Sequence, residues 1–225
     1  MFGNIYREKK ILITGNTGFK GAWLTNWLLN LGAKVIGFSN EIPTKPSMFK
    51  ILSLPSKIKY ITGDICDYTL LNKVISEEKP DFIFHLAAQS RIQPAVKNPI
   101  KTVRVNCEGT TNVLQASRVH KVKRVIYSST SACYGLKNEP PLHENMNTDC
   151  LNPYSVTKVG GEEICKMYTK LFGLQTVIFR YFNVYGDRQP TKGQYAPVIG
   201  LFKKQKDKKC FYSRFCQTKF IIKFT

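Results

Sequence analysis

Short apolar runs recur along the chain at residues 10–13, 34–38, 58–61, 81–86, 123–127 and 175–180. Between most of them lie stretches that read as helices, at about 19–31, 67–77, 99–118 and 154–172. Strands alternating with helices predict an α/β fold, a parallel sheet with helices on both faces. Right-handed crossovers then favour a doubly wound order, in which ligands sit at the carboxyl ends of the strands. Residues 39–57 contain three prolines and predict a loop with one helical turn. Residues 135–153 contain three more and predict a long loop near the ligand end of the sheet.

The segment Thr14-Gly15-Asn16-Thr17-Gly18-Phe19-Lys20-Gly21 joins the first apolar run to the first helix. Strand, glycine turn, helix and second strand follow within about 30 residues, the context that a dinucleotide-binding turn requires. Gly15 allows a tight turn. Gly18 lets the backbone approach a pyrophosphate, and Gly21 lets the helix lie close to the strand. Free N–H groups and the positive end of the helix dipole then face the phosphates.

The 225 residues are 43% hydrophobic and 22% charged, enough for a globular core. No apolar run reaches the ~18 residues of a membrane span. Residues 1–10 lack the apolar core of a secretion signal, so a cytoplasmic protein without membrane contact is expected. Seven cysteines without a Cys-x-x-Cys pair predict reduced thiols, with neither a zinc site nor a disulfide framework. A net charge of +19 invites a nucleic-acid reading. However, residues 201–225 hold eight Lys/Arg against one Asp, and the remaining 26 are spread thinly among 14 acids. That distribution describes a lysine-rich surface attracted to a phosphate-bearing ligand, and no specific nucleic-acid binding is expected.

Tyr154 and Lys158 follow Pro153, which suits a helix start. Four residues apart, they share one helical face. A nearby ammonium favours the phenolate and lowers the tyrosine pKa, which makes a usable base near neutral pH. Tyr6 and Lys10 have the same spacing but no site around them. Upstream, Ser128-Ser129-Thr130-Ser131 closes the run 123–127, and hydroxyls there belong to the ligand face.

Glycine turn, strand-end hydroxyls and Tyr-Lys helix, in this order, resemble the extended short-chain dehydrogenases/reductases. These are the NAD-dependent nucleotide-sugar epimerases and dehydratases, and the likeness covers residues 9 to about 205. It implies a Rossmann fold with a truncated C-terminal substrate lobe. It implies Tyr154 as the base, Lys158 as holder of the nicotinamide ribose, and Thr130 as partner of a sugar hydroxyl. By the same resemblance Gly15, Thr17, Gly18, Phe19 and Gly21 form the cofactor turn. Asp64 and Ile65 flank the adenine. Leu86, Ala87 and Ala88 end the fourth strand beside the cofactor, and Gln89 faces the substrate. Asn106 lies near the nicotinamide, and Asn183, within Arg180–Gly186, meets the substrate diphosphate. Read alone, Ala87 and Ala88 are equally core residues, Asp64 is equally a helix cap, and residues 180–186 are a strand end and turn. Ser39 stands where the family often has an acid on the adenosine ribose, with Glu41 two residues on. No arginine follows that strand, so NAD is expected over NADP.

Family dehydratases carry an acid just after the strand-end threonine. Ser131 and Ala132 stand there, so the resemblance implies C4 epimerisation of a nucleotide-sugar, UDP-linked. Residues 127–205 look most like UDP-glucose or UDP-N-acetylglucosamine 4-epimerases. Gly18–Gly21 and residues 43–49 look more like CDP-glucose 4,6-dehydratases. A 4,6-dehydratase and a non-catalytic dinucleotide-binding protein are the alternatives. A homodimer through helices 99–118 and 154–172 is implied. Residues 1–182 are expected to be the dinucleotide-binding domain and 183–225 an incomplete substrate-domain remnant. After Gly200 no Gly, Pro or Ala appears, and lysines and phenylalanines crowd in without clean periodicity. From about residue 207 a departure from the fold is expected, through a shifted reading frame or a basic tail. NAD binding with little turnover is the outcome expected of this chain.

Overall fold

The computed structural model describes residues 2–189. Six strands form one parallel sheet in the order β3-β2-β1-β4-β5-β6. They are β1 (Lys10–Thr14), β2 (Lys34–Ser39), β3 (Lys59–Thr62), β4 (Phe82–His85), β5 (Arg124–Thr130) and β6 (Thr176–Tyr181). This is the doubly wound order expected from the alternation of elements. Residues 190–225, which include the segment expected to depart from the fold, lie outside the described residues.

Successive side chains of each strand serve opposite faces. Leu12, Ile36, Phe38, Ile83, Val125 and Tyr127 form one core with α3 (Tyr68–Glu78), α6 (Gly109–Val119) and α7 (Pro153–Phe172). Ile11, Ile13, Val35, Phe84 and Ile126 form the other with Leu28 of α1 (Phe19–Asn30). These runs are buried on both faces, which is why they read as continuous rather than alternating apolar segments. A small third core gathers Ala22, Met48, Phe49 and Leu54 around α2 (Met48–Ile51), the helical turn expected in the proline loop.

One helix was not evident from the pattern. α4 (Ile92–Lys97) carries Pro94, which reads as a breaker. Pro94 occupies the first turn, where a missing N–H removes no helical hydrogen bond. The helix expected over 99–118 is α5 (Pro99–Val103), a π turn at Arg104–Glu108 and then α6. α7 starts as its sequence predicts. Asn152 accepts from Ser155 N at 2.9 Å, Ser155 answers it in a capping box, and Pro153 takes the first position. Gly161 lets α7 lie directly on Tyr127 of β5, since a methyl group there would overlap the phenol.

Candidate active site

The glycine turn is built by close packing on two sides. Gly15 has φ +75°, and a Cβ there would stand 2.7 Å from Ala87 N at the end of β4. A Cβ on Gly21 would run into the Gly15 carbonyl. Gly18 differs. Its backbone is ordinary (φ −71°, ψ 169°), and a Cβ would meet nothing closer than Gly15 O at 3.5 Å. The protein does not need a glycine there for its own packing. The open side of Gly18 at the start of α1 fits a pyrophosphate laid against the backbone.

Two residues expected at the cofactor brace the turn instead of offering free hydroxyls. Thr17 donates to Glu41 O at 2.6 Å, and Ser39 donates to Asn16 Oδ1 at 2.7 Å. Asn16 Nδ2 is buried without a hydrogen-bond partner among the described residues. Glu41 is exposed. Asp64 is also exposed and accepts from Cys66 N at 2.9 Å, while Asp67, not Asp64, caps α3. Ile65 is buried beside Gly109. Phe19 is half-buried on the Gly186 side.

At the end of β4 a buried relay fixes the backbone. Thr110 Oγ1 donates to Asn106 O at 2.7 Å, so His85 Nε2 donates to Thr110 at 3.0 Å. His85 Nδ1 then accepts from Thr14 Oγ1 at 2.7 Å, and Thr14 in turn accepts from Ala87 N at 3.2 Å. Burial pushes the His85 pKa down to about 3, so the ring stays neutral. Leu86, Ala87, Ala88 and Gln89 follow as half-exposed residues. Asn106 is buried and fully engaged: it accepts from Gln89 N at 2.7 Å and donates to Gln89 O and Thr157 Oγ1 at 3.1 and 3.0 Å. Thr157 donates to Tyr154 O at 2.9 Å. Asn106 thus ties the β4 loop to the first turn of α7.

β5 and α7 bring Thr130, Tyr154 and Lys158 to the carboxyl end of the sheet. Burial raises the Tyr154 phenol above its ordinary pKa, and the neighbouring Thr130 hydroxyl only partly offsets this. The expected lowering by Lys158 is not among the causes. The Lys158 ammonium lies 4.1 Å from the centre of the Tyr127 ring, and Lys158 is only 3% exposed. Its pKa is pushed down to about 7, first by burial and then by the charge of Lys20. The unfolded chain therefore binds more protons at Lys158 between pH 7 and 10.5, so this group's contribution to stability rises with pH there. Wild type should gain about 1–2 kcal/mol between pH 7 and 8.5 relative to Lys158→Met in urea titrations. A pH-independent difference would contradict the burial of a titrating Lys158.

Behind these residues sits a buried ion pair. Arg180 donates to both Glu162 oxygens, from Nε at 3.0 Å and from Nη2 at 2.8 Å. Ser129 donates to the same carboxylate, and Arg180 Nη1 reaches Glu144 O at 3.1 Å, which holds the 135–152 loop against β6. Ser131 and Ala132 occupy a 3₁₀ turn after Thr130. Glu162 is thus fully engaged and not a free acid at the site. Sequence reading missed Glu162, although it follows Lys158 by four residues and so shares its face of α7. Lys20 was also missed. Asn183 is exposed beyond the end of β6. Tyr6 packs on Phe82 and Phe84 at the opposite, amino end of the strands. Among the described residues no group of His, Cys, Asp and Glu could hold a metal, and no helix could cross a membrane.

Comparison with known proteins follows the same lines. Residues 12–213 match the family described as GDP-mannose 4,6 dehydratase. CDP-glucose 4,6-dehydratase of Salmonella typhimurium is 34% identical over 87% of this chain, which covers 58% of that protein. UDP-glucose 4-epimerase of Mycolicibacterium smegmatis is 32% identical over 86% of this chain and 61% of that protein. The chain thus spans about three fifths of these relatives' length. The UDP-N-acetylglucosamine 4-epimerase of Methanobrevibacter ruminantium, solved with UDP-N-acetylmuramic acid, superposes with a TM-score of 0.82, at 30% identity over 90% of this chain and 64% of that one. The Thermus thermophilus UDP-glucose 4-epimerase, solved with NAD, superposes at 0.79, with 29% identity over 89% of this chain and 63% of that one. The chain belongs to the GDP-mannose 4,6-dehydratase family of extended short-chain dehydrogenases/reductases, among NAD-dependent nucleotide-sugar epimerases and dehydratases.

Proposed function

We propose that the protein acts as a nucleotide-sugar 4-epimerase, with NAD rather than NADP and a UDP-linked sugar. One observation carries this reading. Thr130 ends β5, Tyr154 and Lys158 lie in the first turns of α7 packed on that strand, and the buried carboxylate of the same helix is fully engaged by Arg180 and Ser129. The turn at Gly15–Gly21 would hold the cofactor pyrophosphate, Lys158 the nicotinamide ribose, and Leu86, Ala87 and Ala88 the passage between them. When bound, NAD supplies the reversible acceptor for the C4 hydride. Tyr154 as phenolate takes the O4 proton as that hydride leaves, which makes a C4 ketone. Thr130 holds the sugar hydroxyl and the phenol in one chain of hydrogen bonds. Asn183 would meet the diphosphate. Once the ketone has turned over, Tyr154 would return the proton to O4 on the inverted centre, the bound cofactor being what would give the hydride back.

Residues 1–182 would serve as the dinucleotide half, and 183–225 would be an incomplete remnant of the substrate domain. The same reading includes a cytoplasmic location. Exposed apolar residues on α5 and α7, among them Ile100, Val103, Val156 and Leu171, support a homodimer through those helices. A sedimentation measurement giving only monomer at tens of micromolar would remove that part. The reaction itself is tested by incubation with UDP-glucose, UDP-N-acetylglucosamine and CDP-glucose, followed by mass analysis and proton NMR. An isobaric C4 epimer is expected. A product lighter by one water would assign a 4,6-dehydratase instead, the reading favoured by the CDP-glucose 4,6-dehydratase relative.

A further inference from the structure

Lys20 stands in the first turn of α1, which contains no acidic residue. A cation is disfavoured there, because the helix already presents positive partial charge. The side chain does not stay at the glycine turn. It crosses to β5 and β6, with Nζ 3.5 Å from Ser128 Oγ and 4.6 Å from the centre of the Tyr181 ring. β4 lies between β1 and β5, so this is two strands, about 10 Å, from the end of β1. Lys158 reaches the neighbouring residue of β5 from the other face, over Tyr127. Tyr127 and Ser128 point to opposite sides of the sheet. Two ammonium groups therefore flank the end of one strand, next to Thr130. Neither makes an ion pair among the described residues. Each is partly removed from water at its charged end, although the Lys20 residue as a whole stays open to solvent.

We infer that Lys20 is a positioning residue that biases the site toward the reduced cofactor. This rests on the proposed seat of the nicotinamide ribose at Lys158. The oxidised ring is cationic and the reduced ring neutral. The Lys20 ammonium, joined by Lys158 when that group carries its proton, penalises the first and leaves the second untouched. The contacts to Ser128 and Tyr181 set this apart from phosphate anchoring, which would keep the ammonium at Gly15–Gly18. In the proposed reaction the bias favours withdrawal of hydride from C4.

The test is the ratio of dissociation constants for NAD and NADH, measured by calorimetry on residues 1–225. Wild type should prefer NADH, and Lys20→Met should reduce that preference about tenfold. Lys20→Arg, which keeps the charge, should retain it, and circular dichroism should show both variants folded. An unchanged ratio in Lys20→Met overturns the inference. Equal weakening of both cofactors also overturns it and assigns Lys20 to the pyrophosphate. Failure of wild type to bind either cofactor would instead refute the functional reading and take this inference with it.

Discussion

Tyr154→Phe is expected to lower turnover by about 10² to 10⁴ in any form of the protein that epimerises, with NAD affinity largely kept. The change preserves the ring and removes only the hydroxyl. That hydroxyl is the group beside Thr130 at the end of β5 that is able to take the O4 proton. The backbone around it does not depend on the phenol, because Asn152, Ser155 and Thr157 fix the first turn of α7. Tyr6→Phe, at the far end of the strands, should leave turnover unchanged. If Tyr154→Phe retained full activity, the acid/base assignment would be wrong. Because Tyr154 works as a base, it governs the acidic limb of the rate profile, and burial of the phenol moves that limb upward in pH.

Glu162→Ala is expected to destabilise the folded chain by about 3–5 kcal/mol. The Glu162 side chain is 2% exposed and that of Arg180 13%, so removing the carboxylate leaves a guanidinium without its counter-charge in a nearly closed site. Ser129 loses its acceptor at the same time. Glu162→Gln keeps an acceptor and the side-chain volume and should cost less. Urea denaturation followed by tryptophan fluorescence and circular dichroism reads both variants. A cost below about 1 kcal/mol for Glu162→Ala would show that the pair is not desolvated. The consequence for function is local. Arg180 holds Glu144 O, and Ser129 precedes Thr130, so the pair fixes both the 135–152 loop and the strand end that carries the hydroxyls.

The parts of the fold that were legible in the sequence have local causes. β1, β2, β4 and β5 are short apolar runs because they are buried on both faces, and the glycines of the turn mark where backbone meets backbone or ligand. Pro153 announces α7. Helix α4 was not legible, because Pro94 looks the same whether it ends a helix or sits harmlessly in its first turn. Thr130, Tyr154 and Lys158 could be proposed because order along the chain carries over into adjacency at strand ends. Their electrostatics could not. Spacing of four residues places Tyr154 and Lys158 on one face, but burial decides the ionisation of both, and Lys158 also feels the charge of Lys20, more than a hundred residues away in sequence. Thr17 and Ser39 illustrate the same limit. Both lie at the expected place, yet their hydroxyls are engaged by Glu41 O and Asn16 Oδ1.

Gly18→Val provides the most direct measurement of whether this site binds a dinucleotide. Valine is compatible with the Gly18 backbone, and its Cβ would meet nothing closer than 3.5 Å within the protein. The variant should therefore fold, unlike substitutions at Gly15 or Gly21, while its branched side chain stands where the pyrophosphate must approach. Titration of residues 1–225 with NAD and NADH should show binding by wild type. In Gly18→Val, affinity should fall by about 10- to 100-fold, of the order of other steric costs of 1–3 kcal/mol. Equal affinity in wild type and folded Gly18→Val would contradict the placement of the cofactor on this turn, and with it the reading of the site.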